Sequence, residues 1–161
     1  MIQFDFLTIA LSSVIIPWLT SFSVLIDHDI LFGILLIFIT IIGERRSEKL
    51  KKIFLAVLLA FIAASVLKNA FQIERPCTII QSKIPCPDSY SFPSIHATLA
   101  FILPFAFLRN RLYPFYLSFA LFIGFTRIYL LVHSFIDIVG GLVIAALVYY
   151  AVDLVYSKKR R

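Results

Sequence analysis

Charge is what this sequence has least of. Charged residues make up 15% of the 161, where a soluble domain carries about 25%. Hydrophobic residues take 61%, and mean hydropathy is +0.97. A soluble fold of this size is mostly surface and could not hide so much apolar side chain. Cysteine is scarce too. Cys77 and Cys86 are the only two, and with no further cysteine beside them they make a poor zinc site. The basic residues form no stripe interleaved with exposed aromatics, so nucleic-acid binding is set aside despite a net charge of +6. The acidic residues form no carboxylate cage for magnesium. No metal and no cofactor is therefore expected. Residues 1–5 lack a basic segment, and no small-residue cleavage site follows the first apolar run. That run is expected to stay in the membrane rather than be removed.

What is present is a series of apolar runs broken by short polar turns. Residues 7–26 are long enough to cross a bilayer. Pro17 is expected to kink that span, and Trp18, in mid-span, to pack against other helices. After the polar turn Asp27-His28-Asp29, residues 30–43 form a second, short span that must thin the bilayer or borrow its flanks. A charged loop at 44–52 leads to a third span at 53–67. A loop at 74–92, rich in proline and serine, holds both cysteines. A fourth span runs from about 94 to 108, a fifth from 113, and a sixth over 135–156. The expected architecture is all-α: one domain over 1–161, a bundle of six transmembrane helices.

Basic residues collect on the cytoplasmic side of short loops. With the 44–52 loop inside, alternation puts Arg45, Arg46, Lys49, Lys51, Lys52, Arg109, Arg111 and the run 158–161 on that side. These are eleven of the fifteen basic residues. Both termini are then cytoplasmic. The remaining four, Lys68, Arg75, Lys83 and Arg127, fall on the outer face. Cations placed against the charge bias usually have a use. The outer face is also oxidising in its compartment, so Cys77 and Cys86, in one outer loop, are read as a disulfide.

Three polar clusters lie on that outer face: Lys68 with Arg75 and Pro76; Pro93, Ser94 and His96; and Thr126-Arg127 with His133 and Asp137. Together they hold the groups needed to grip a phosphate and break its ester. Arg127 and Arg75 offer planar forks for phosphate oxygens, and Lys68 a point charge. Lys68 and Arg75 are seven apart and share a face if the helix persists, although Pro76 disfavours helix at Arg75. Ser94 is placed as an N-cap, where free backbone N–H groups attract an anion. His96, in the following turn, could protonate a leaving oxygen. His133 and Asp137, at i and i+4, share a helix face. The carboxylate would fix the tautomer and free the other ring nitrogen as nucleophile or base. Spacing alone leaves open which histidine attacks.

The pattern Lys–x6–Arg-Pro, Pro-Ser-x-His, then Thr-Arg–x5–His–x3–Asp resembles the type 2 phosphatidic acid phosphatase family, whose relatives include vanadium-dependent haloperoxidases. The motifs cover residues 68–137. The resemblance implies His133 as nucleophile through a phosphohistidine, His96 as acid for the leaving group, and Asp137 as the orienter of His133. It implies Lys68, Arg75, Ser94 and Arg127 as phosphoryl binders, and no metal. Two positions depart from the family pattern. Ile95 stands where glycine is usual and brings bulk where glycine would let backbone approach the phosphate. Thr126 stands where serine is usual and keeps a hydroxyl.

The expectation is an integral membrane lipid phosphatase in the plasma membrane, with its site facing the exterior or periplasm. By family analogy its substrate is a polyprenyl diphosphate, cleaved to the monophosphate. The alternatives are a phosphatidate or phosphatidylglycerophosphate phosphatase and, in another class, a non-enzymatic lipid-phosphate binding or transport protein. The last would need the cations but not His96, His133 and Asp137 together. A soluble haloperoxidase-like enzyme is excluded by the apolar spans.

Overall fold

The computed structural model describes residues 6–158. The expectations for residues 1–5 and for the last three basic residues lie outside that range. Seven α-helices are described, and no strand is found among the described residues. They are α1 (Phe6–Ser12), α2 (Pro17–Asp27), α3 (Asp29–Gly43), α4 (Ser47–Phe71), α5 (Ile95–Ala106), α6 (Tyr113–Tyr129) and α7 (Phe135–Lys158). A 3-10 turn, Pro76–Thr78, follows α4.

Helix α5 is the centre of the bundle. Nine of its twelve residues are buried, and α4, α6 and α7 pack around it. Ala56, Ala60 and Ala64 make a fully buried stripe along α4. Small residues at this spacing let helix backbones approach closely, which is how helices associate where lipid removes the hydrophobic drive between them. On the opposite side large apolar groups point outward. Leu58 is 55% exposed on α4, and Leu147 and Leu154 are 67% and 63% exposed on α7. Such faces suit a hydrocarbon solvent.

Two helices, α4 and α7, are each long and apolar enough to cross a membrane on their own. The others fall short of a bilayer core of about 30 Å. At 1.5 Å per residue, α3 reaches about 22 Å, α5 about 18 Å and α6 about 25 Å. By length and composition the described helices give two clear spans, or three if the bent pair α1–α2 is one span.

The first apolar run is not one kinked helix. It breaks at residues 13–16, and the two pieces meet at 119°. Pro17 has no N–H to continue a helix and holds Ile16 extended (φ −120°, ψ 105°). The freed backbone groups find partners: Ile16 N–H donates to the Tyr129 hydroxyl at 2.9 Å, and Lys83 Nζ donates to the Leu11 carbonyl at 2.9 Å. Irregular backbone among apolar surroundings needs such internal satisfaction. The break also changes the fate of Trp18. The buried face of α2 is Leu19, Ser23 and Ile26, and Trp18, off that face, is 70% exposed.

The charged loop at 44–52 is shorter than expected, because α4 already begins at Ser47. Lys52 Nζ meets Asp153 at 2.5 Å, joining the start of α4 to the last turns of α7. Tyr116 donates to the Ile39 carbonyl at 2.9 Å, joining the start of α6 to the end of α3. One end of the bundle therefore holds these basic turns. The other end holds the α2–α3 turn, the close of α4, the start of α5 and the α6–α7 connection.

Candidate active site

At that second end a cavity of about 530 Å³ is lined by Lys68, Arg75, His96, Arg127 and His133, together with Asp27 and Asp29. The chain reverses sharply to build it. Helix α4 stops at Phe71, and Gln72 takes a left-handed conformation (φ 50°). Lys68 and Arg75 therefore do not share a helix face; Arg75 reaches the cavity from an extended loop. Leu131, fully buried, also has positive φ (64°). That conformation costs a leucine about 1–2 kcal/mol, and it turns the chain from α6 towards His133.

His133 lies outside the helix. It precedes α7, while Asp137 sits in the first turn of α7, so the shared helix face expected of them is replaced by a contact across a helix start. Asp137 Oδ2 accepts from Ser134 N–H at 2.7 Å, which caps α7, and lies 3.4 Å from His133 Nδ1. Ser91 Oγ donates to the same oxygen at 2.5 Å and lies 3.5 Å from Nδ1. With a proton on Nδ1 facing Asp137, His133 Nε2 carries the lone pair. Arg75 Nη1 stands 3.3 Å from Nε2. Burial, opposed by the hydrogen bond to Asp137, holds the His133 imidazole below its ordinary range, so it is neutral near pH 7.

Most of the Arg75 guanidinium is engaged in structure. Nε donates to the Ser89 carbonyl at 2.6 Å, Nη2 to Ser89 Oγ at 2.9 Å, and Nη1 to the Val132 carbonyl at 2.8 Å. Burial, then the Arg127 charge, brings its pKa down to about 10, still cationic at neutral pH. Lys68 Nζ donates to the carbonyls of Tyr90 (2.6 Å) and Ser91 (3.1 Å). Both cations thus fasten the 89–91 loop under the cavity and keep only part of their donor capacity for a ligand.

Arg127 differs. Its Nη2 meets Asp27 Oδ1 at 2.5 Å, while Nε and Nη1 are buried and have no partner. His96 Nε2 is buried without a hydrogen bond; Asp29 Oδ1 lies 3.7 Å away, and the ring packs at a tilt against Phe32, centroids 4.4 Å apart. Three unsatisfied donors or acceptors around one cavity suit an incoming oxyanion. Ser94 caps α5, accepting from Ala97 N–H at 3.5 Å, and its own N–H donates to the Asp137 carbonyl at 3.1 Å. Neither Ser94 nor Asp137 lines the cavity.

The disulfide Cys77–Cys86, with a Cα–Cα distance of 5.6 Å, closes the loop beside the site. Closing about ten residues contributes somewhat under 3 kcal/mol on the chain-entropy estimate. Lys83, inside this loop, donates to the Leu11 and Tyr129 carbonyls and anchors the loop against α1 and α6. Sequence reasoning missed Asp27, Asp29, Ser89 and Ser91 as parts of the site. The carboxylates read as an ordinary turn and the serines as an ordinary loop, since their partners are remote in sequence.

Residues 49–161, well over half of the chain, match the family model described as the PAP2 superfamily. The chain belongs to this superfamily. Among solved structures it is similar to LpxE of Aquifex aeolicus, with a TM-score of 0.76, 25% identity and coverage of 94% of this chain and 98% of that one. It shares its fold with the first transmembrane PAP2 type phosphatidylglycerolphosphate phosphatase from Bacillus subtilis, at TM-score 0.74, 21% identity and coverage of 94% and 83%. No curated protein matches. This PAP2 protein is an integral membrane enzyme, a phosphatase of lipid phosphates that works as a metal-independent hydrolase.

Proposed function

We propose that the enzyme cleaves a polyprenyl diphosphate to the monophosphate and inorganic phosphate through a phosphohistidine on His133. The observation that carries the mechanism is the polarity of the His133 ring: Nδ1 faces Asp137, and Nε2 faces the cavity beside Arg75. Nε2 attacks the terminal phosphorus, an N–P bond forms, and the P–O bond to the lipid monophosphate breaks. His96 gives its proton to that leaving oxygen. Water, deprotonated by His96, then breaks the N–P bond and releases phosphate. Asp137 stabilises the charge developing on His133 and keeps its tautomer. Arg127, Arg75 and Lys68 neutralise the phosphoryl oxygens, and Ser94 serves as cap of the helix end that faces them.

A lipid tail has somewhere to lie. An apolar groove of about 370 Å³ between α2 and α3, walled by Phe22, Leu25, Leu35 and Phe38, shares Phe32 with the site cavity. The preference for a polyprenyl diphosphate over phosphatidate or phosphatidylglycerophosphate rests on analogy. Such carriers are released at the outer leaflet, and the chain is short, with no inserted soluble domain among the described residues.

The whole chain, 1–161, acts as one phosphatase unit in the plasma membrane. On this reading the chain makes six helical passages, α1–α2 counting as one broken passage, with both termini in the cytoplasm and the site outside; the shorter helices cross where the bilayer thins. The gathering of basic turns at the end opposite the site supports this orientation. The test is phosphate release by purified protein from polyprenyl diphosphates, phosphatidate and phosphatidylglycerophosphate, all with EDTA present. The polyprenyl diphosphate is expected to turn over fastest. Preference for either glycerolipid would overturn the substrate, and loss of all activity in EDTA, restored by magnesium, the mechanism.

A further inference from the structure

Arg127 is 3% exposed, and a buried guanidinium needs a counter-charge. Asp27 supplies it, through Nη2 at 2.5 Å. Nη2 carries a hydrogen into each of the two forks of a guanidinium, one shared with Nε and one with Nη1. Nε and Nη1 are the two atoms left without partners. A phosphoryl group reaching Arg127 would use one of those forks, and so would meet Asp27 at the shared nitrogen. A carboxylate and a phosphate so close together repel strongly where little water screens them.

We infer that Asp27 is an exchangeable counter-ion that stands in for the phosphoryl group on Arg127, so that it sets the affinity of the site for phosphate and helps expel the product. The inference rests on the reading that Arg127 binds the phosphoryl group. The position of Asp27 suits exchange. It ends α2 at a single-residue turn, with His28 joining it to Asp29 at the start of α3. Among the described residues no other partner of the Asp27 carboxylate is seen, whereas Asp137 is held by three. Asp29, on the same turn, is the acidic neighbour of His96. Displacing the turn would therefore open both unsatisfied groups to substrate together. After cleavage Asp27 returns to Arg127 and competes with inorganic phosphate for it. Asp27 touches no reacting atom in this scheme; it acts through Arg127.

The experiment uses the full-length protein in detergent, with vanadate and inorganic phosphate as inhibitors. Asp27→Asn keeps the shape and removes the charge. Inhibition by both anions should tighten by about tenfold, the scale of one charge-assisted bond. KM for the lipid phosphate should fall with it, and kcat should not rise. Unchanged or weaker inhibition would show that Asp27 holds Arg127 ready for phosphate instead of competing with it, and would overturn the inference. Should the Asn variant not fold, His28→Cys in the otherwise native chain reports on the turn, since the native cysteines are bridged. Maleimide labelling there should quicken when vanadate binds; an unchanged or slower rate is the opposing result. Arg127→Lys separates the phosphate site itself from the role of Asp27. It should weaken vanadate inhibition markedly, because the fork is lost. If it inhibits like the parent, the phosphate-site reading fails rather than the role of Asp27.

Discussion

His96 and His133 sit in one cavity but in different company. His133 has a carboxylate on Nδ1 and an arginine near Nε2, while His96 has an aromatic face and an unsatisfied Nε2. The difference predicts different losses. His133→Ala should abolish turnover of every substrate and leave no acid-quenched phosphoenzyme. His96→Ala should hurt lipid substrates most and aryl phosphates least, because a phenolate leaves with little help. Asp137→Asn should remain folded and slow turnover by orders of magnitude. Label trapped on His96, or on the His133→Ala protein, would reverse the assignment. Burial of His133 also ties stability to pH. The folded chain keeps this imidazole neutral below its ordinary value of about 6.5, where the unfolded chain takes up a proton. Stability should therefore fall as pH drops below about 6.5, and the slope should be shallower in His133→Gln. Thermal melts from pH 8 to pH 4.5 check both; equal slopes would count against the neutral buried ring.

The element that holds the site together is the crossing of α5 and α7. Ser94 N–H donates to the Asp137 carbonyl at 3.1 Å, so the two helix starts touch through backbone. Gly141 makes this possible one turn further on. A Cβ there would stand 3.0 Å from Thr98 N and 3.1 Å from the Ser94 carbonyl. Backbone cannot yield as a flexible side chain does. Gly141→Ala should cost about 1–3 kcal/mol by overpacking, read as a lowered melting temperature. Activity should fall in parallel, since the same contact sets Asp137 beside His133. Gly33 has open space around its position, and Gly33→Ala serves as the comparison that should change melting little.

Across the whole molecule, charge is arranged by end. The pairs Lys52–Asp153 and Lys49–Glu44 lie at the end of the basic turns, and Arg127 with Asp27 lies at the other. With Cys77 and Cys86 replaced by serine, a single cysteine at Gln81 should react with an impermeant maleimide on intact cells. One at Arg109 should react only after lysis. The reverse pattern would turn the enzyme over in its membrane and put its substrate in the inner leaflet.

Membrane class, the helical runs and the three polar clusters were legible in the sequence, because hydropathy and residue spacing are local properties. Ser94 as a cap was legible for the same reason, since a cap acts within four residues. The break at residues 13–16 was only half legible. Pro17 announces a disturbance, but its angle depends on the Tyr129 hydroxyl and on Lys83, both distant in sequence. The inner wiring of the site was not legible. That Arg75 and Lys68 spend donors on the 89–91 loop, that Ser91 joins the Asp137 carboxylate, and that Asp27 meets Arg127 all depend on chain reversals at Gln72 and Leu131. Neither residue is the glycine that normally marks a left-handed turn. The sequence by itself thus determined which charges stand at one end of the bundle. Only the tertiary structure decided which of them pair there, because a buried charge takes the partner that folding brings within reach.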